Sequence, residues 1–139
     1  MSFYKNSSGI QEVSVDDFVK QRVAEKPFVD KPILYKDEFD NEFIVIPHKL
    51  DDEGDRKLRE KHNLNGPYLC PACAFCMSPY CLLRMSVKDR TLDPCRRNAS
   101  TYIYFEPVDL RIKREFLMKY CENSRVMDLI KNDKLSIVD

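Results

Sequence analysis

The sequence predicts an α+β fold: one small domain with a β-hairpin, several short helices and a cysteine-rich loop. Three observations carry that expectation. Two short apolar runs, Pro32-Ile-Leu-Tyr-Lys36 and Glu42-Phe-Ile-Val-Ile46, flank Asp37-Glu-Phe-Asp-Asn41, whose residues favour a turn, so the pair reads as a hairpin. Apolar residues at helical spacing recur toward both ends of the chain. Between them, four of the six cysteines crowd into Cys70-Pro-Ala-Cys-Ala-Phe-Cys-Met-Ser-Pro-Tyr-Cys81, a C-x2-C-x2-C-x4-C pattern.

At 139 residues the chain is of single-domain size. With 43% hydrophobic and 33% charged residues it can build a modest core. The formal net charge is zero, which argues against a protein that coats nucleic acid. The charge is uneven: residues 1–83 hold eleven Lys/Arg and fourteen Asp/Glu, and residues 84–139 hold twelve and nine. A mild dipole of this kind suits protein–protein contact. The N-terminal residues contain no apolar segment of the secretory kind, and no run approaches the roughly 18 apolar residues of a membrane span. A reducing compartment without membrane contact is therefore expected, where clustered thiols bind metal more often than they form disulfides.

Taken in order, residues 1–12 are polar and are expected to form a flexible arm, leaving 13–139 as the domain. Ser14 has the character of an N-cap, and Val15, Phe18, Val19 and Val23 form an apolar helical stripe that Pro27 ends. The hairpin follows, with Pro47 expected to close its second strand and His48 expected at the surface. Asp51 to His62 carries five acids, four bases and a histidine, the composition of a short exposed helix or a solvated connection. Asn65-Gly66-Pro67 turns the chain into the cysteine cluster. Ser78-Pro79 reads as a helix start, running to about Lys88 with Cys81 in its first turn. Thr101-Tyr-Ile-Tyr-Phe105 reads as a strand ended by Pro107, with Asp109 capping an amphipathic helix from Leu110 to Tyr120. A break at Glu122-Asn-Ser124, a short helix over Val126–Ile130 and a tail to Asp139 complete the expectation.

A C-x2-C turn points two sulfurs at one ion, and thiolates suit zinc. The candidate ligands are Cys70, Cys73, Cys76, Cys81 and Cys95: four of these, or three together with His62. Cys70 and Cys73 form the first pair, and which residues complete the set stays open. One structural zinc is expected, within a segment of about residues 62–97. Cys121 falls on the face of a helix and is expected in the core. Two other thiol chemistries fit less well. Cys70-Pro-Ala-Cys73 has the form of a redox motif but is preceded by turn residues rather than a strand. In iron–sulfur ferredoxins the fourth cysteine follows after three residues and precedes a proline, whereas Cys81 follows after four and precedes Leu82. No G-x-S-x-G, phosphate-binding glycine loop or H-E-x-x-H is present, so no conventional enzyme site is expected.

The cysteine cluster with Cys95 trailing it, the chain length and the polar arm resemble the small RING/U-box-like nucleocapsid assembly proteins of baculoviruses. The resemblance rests on residues 62–97. It implies a degenerate RING-like loop in a structural protein of the virion nucleocapsid, acting in the host nucleus. It also implies other viral capsid proteins as partners in a hetero-oligomeric assembly. A full RING takes two zincs through eight ligands, and this chain has six Cys and two His in all, so a single site is expected. Two alternatives accompany this reading. A RING-like ubiquitin-ligase module would need an exposed apolar groove, for which Phe75, Pro79 and Leu82 are candidates. A zinc-dependent nucleic-acid binder would use Arg84, Lys88, Arg90, Arg96 and Arg97, engaging few phosphates and binding weakly or not at all.

Overall fold

The computed structural model describes residues 10–14, 30–64, 73–76, 96–98 and 101–139, with side chains for all but 96–98, 101 and 102. These residues build a mixed α+β structure on one six-stranded sheet. Strand β1 (Gln11–Val13) lies parallel to β2 (Ile33–Lys36), and β2 turns back on β3 (Glu42–Leu50) as an antiparallel hairpin. Strand β3 pairs along its length with the long β5 (Thr101–Lys113). The far edge of β5 is shared: β4 (Arg96–Asn98) pairs with its start, and β6 (Leu135–Val138) runs parallel to its end. Helix α1 (Asp52–His62) follows β3, and α2 (Arg114–Tyr120) and α3 (Asn123–Lys131) connect β5 to β6.

The hairpin forms as its sequence predicts. Asp37 Oδ1 accepts from the amides of Phe39 and Asn41, both at 2.9 Å, and Asp40 takes the left-handed conformation that the turn requires. Ile33, Leu34 and Tyr35 are all buried, as are Phe43, Ile44 and Val45 opposite them. Continuous rather than alternating burial marks a central sheet covered on both faces. One face carries the main core, in which Phe43, Phe105, Leu110 and Ile112 have no exposed surface.

Four sequence expectations are corrected here. Pro47 does not close β3, which continues to Leu50. Pairing with β2 stops at Val45, so the β2 side of Pro47 faces no ladder; its carbonyl accepts from the Asp30 amide instead, and no strand bond is lost. His48 accordingly sits within a strand rather than at a strand end. Second, Pro107 does not end β5. It lies opposite Val45 where the register shifts, and an irregular site of this kind tolerates proline. Third, the expected helix from Leu110 begins only at Arg114. Leu110 and Ile112 are buried while Arg111 and Lys113 are half-exposed, a two-residue alternation that belongs to a strand. Fourth, Leu135–Val138 is a strand rather than a tail. Gln11 and Glu12, expected in the arm, lie in β1, and residues 1–9 are outside the described residues. The helices expected from Ser14 to Pro27 and from Pro79 to Lys88 also fall outside them.

Candidate metal site and adjoining cleft

Cys73 and Cys76 open and close a tight turn, in which the Cys76 amide donates to the Cys73 carbonyl at 3.3 Å. Cys73 is buried and Cys76 half-buried. Three contacts fix the turn to the sheet. The Ala74 amide donates to the Phe105 carbonyl at 2.8 Å, which attaches the turn to the same strand that pairs with β4 and β6. Phe75 enters the core with no exposed surface, edge-on to Phe105 and Tyr35 with centroids 5.1 and 5.9 Å apart. The Arg125 guanidinium donates to the Cys73 carbonyl at 2.9 Å through Nη2 and to the Cys76 carbonyl at 3.2 Å through Nε. Burying Phe75 is worth about 2–3 kcal/mol, so the turn is anchored by its middle residue and clamped at its ends.

Of the other expected ligands, Cys70, Cys81 and Cys95 lie outside the described residues, so the pair seen together is Cys73 with Cys76. His62 ends α1 and stands in the field of Arg125. Its pKa is lowered by burial, then by Lys61, then by Arg125. Among the described residues no three His, Cys, Asp or Glu side chains gather as a metal site. Cys121 packs half-buried against the core, as the sequence suggests, and burial pushes its thiol up to about 11, which keeps it protonated. Phe75 belongs to the core and not to an exposed groove. The side chains of the basic patch at Arg84, Lys88, Arg90, Arg96 and Arg97 lie outside the described residues.

Beside the turn is an open cleft of about 830 Å3 between α1, α3 and the β3–β5 ladder. Tyr104 links the two features. Its ring stacks on His48, centroids 6.0 Å apart, and burial followed by the nearby Cys73 raises its phenol far above the ordinary range. His48 is held on both sides, with Nδ1 3.1 Å from Asp30 Oδ1 and Nε2 3.0 Å from Glu106 Oε1. The sequence places His48 at the surface but gives no sign of this carboxylate–imidazole–carboxylate bridge.

Sequence reasoning also missed Arg125 and Tyr104. A signal for Arg125 was present: it stands four residues before Leu129, so a cation shares the inward face of α3 with a buried leucine. Tyr104 carried none, because β5 was expected to stop just beyond it. No protein-family model, curated protein or solved structure matches this chain.

Proposed function

We propose that this chain is a zinc-stabilised structural component of a viral nucleocapsid, needed for capsid assembly and acting through protein–protein contacts. The observation that carries the reading is the anchored Cys73–Cys76 turn. Its thiols are of the kind zinc prefers, and a turn closed by a first-to-fourth-residue hydrogen bond brings their α-carbons within about 7 Å. Cys73 and Cys76 would hold the ion, with two donors from Cys70, Cys81, Cys95 and His62 completing the set. Zinc there would supply folding free energy and would join the turn to whichever segments bring the remaining donors.

The capsid half of the reading rests on the resemblance to the baculovirus assembly proteins, with the host nucleus as the place of action. One feature of the described surface suits a protein that is built into something. Met118 and Met127 stand exposed on consecutive helices, and methionine adapts readily to a partner surface. Phe75, the aromatic residue that a ubiquitin-ligase groove would need outside, is inside. The test has two parts. Protein purified without chelators should contain one zinc per chain by elemental analysis; metal-free protein with an unchanged melting temperature would overturn the zinc assignment. Co-expressed with the other capsid proteins, the chain should sediment with particles at fixed stoichiometry. A stable monomer that enters no particle would overturn the capsid assignment.

A further inference from the structure

Two helices present a stripe each to the cleft beside the cysteine turn. From α1 come Gly54, Leu58, Lys61 and His62, which share one helical face, and from α3 come Arg125, Asp128 and Leu129. Leu58 packs in part against the core, but no residue of α1 is fully buried, and Lys61 and His62 stay exposed. The charges lining the cleft are unequally satisfied. Each of its acids has a partner close by: Asp30 and Glu106 lie against the two ring nitrogens of His48, and Asp128 lies 3.7 Å from Arg125. Lys49, Lys61 and Lys134 also line it, and none of the three forms an ion pair with a described residue. Apolar surface from the half-buried Leu50 and Leu58 lies among these cations.

We propose that this cleft binds an acidic peptide segment of a partner protein, placing carboxylates on Lys49, Lys61 and Lys134 and an apolar side chain against Leu50 and Leu58. Cations without an ion-pair partner among the described residues, set around apolar surface, complement a segment that alternates acidic and apolar residues. A nucleic-acid strand is disfavoured, because its unbroken phosphate charge would run against Asp30, Glu106 and Asp128 in the same cleft. The inference depends on neither the zinc nor the capsid assignment.

The experiment uses the full chain and a short fluorescein-labelled peptide of alternating glutamate and leucine, followed by fluorescence anisotropy. Saturable binding that weakens with salt is expected. Lys61→Glu with Lys134→Glu should weaken binding about tenfold, since each reversal removes an exposed pair and adds a repulsion. Lys131→Glu, outside the cleft, should leave affinity unchanged, and circular dichroism verifies that each variant is folded. Absence of binding by the intact chain would overturn the proposal. So would equal affinity in the double reversal, equal affinity for a peptide with serine in place of leucine, or equally strong binding of oligothymidylate.

Discussion

Asn41 has no exposed surface, yet each of its polar groups has a partner. Its side-chain nitrogen donates to Asp37 Oδ2 at 2.9 Å and its side-chain oxygen accepts from the Lys113 amide at 2.8 Å. One residue thereby ties the hairpin turn to the end of β5. Asn41→Ala leaves the Lys113 amide without its acceptor, and a loss of about 2–4 kcal/mol is expected in urea unfolding. A loss under about 0.5 kcal/mol would mean that water replaces the side chain. Arg125 plays a similar part for the cysteine turn, donating from two different nitrogens to two carbonyls. Lysine keeps the charge but lacks the planar fork. Arg125→Lys and Arg125→Ala should therefore both destabilise, by about 1–3 kcal/mol, and both should weaken zinc affinity in a competition with a chromogenic chelator. Full rescue by lysine would reduce the role of Arg125 to charge alone.

At the scale of elements, the hairpin was legible because its turn chemistry and its flanking apolar runs agree. Helix α1 was legible as exposed: Asp51 caps it by accepting from the Gly54 amide at 2.8 Å, and Asn63 ends it in the left-handed conformation. The second half of β5 was misread because Ile112, Phe116, Leu117 and Tyr120 fit a helical stripe as well as a strand running into a helix. Long-range pairing decides between them, and local spacing does not contain it. Of the candidate site, the sequence pointed to the thiols but not to their support. Arg125 and Phe75 reach the turn from positions that only the fold brings close. Arg111 offers a direct test of β5. It is paired with Glu42 on one side and Ser136 on the other. In the first turn of a helix proline would be tolerated, whereas between two partner strands it removes a ladder bond. Arg111→Pro should cost about 3 kcal/mol or more, against about 1 kcal/mol for Arg111→Ala, as read by thermal unfolding. Equal costs would return this stretch to the helical reading.

At the scale of the whole molecule, the described cysteines divide into two kinds. Cys73 belongs to the anchored turn, while Cys121 is a protonated thiol held against the core. Removing metal with a chelator should lower the melting temperature of the intact chain and of Cys121→Ser. It should have little effect on Cys73→Ser, whose melting temperature would already be low. Equal chelator sensitivity in all three would remove Cys73 from the ligand set. The turn has a further consequence, in the time domain. Strand β3 ends at Leu50 and β5 begins at Thr101, so the principal ladder closes only after residues 51–100 have come round. A cross-link inside that excursion shortens the loop that chance must close. Halving its effective length saves roughly 0.6 kcal/mol of closure entropy, close to threefold in rate. Zinc should therefore hasten refolding as well as delay unfolding, in stopped-flow traces of tyrosine fluorescence from this chain without tryptophan. A metal effect confined to the unfolding arm would show that β3 and β5 meet before the ion is captured.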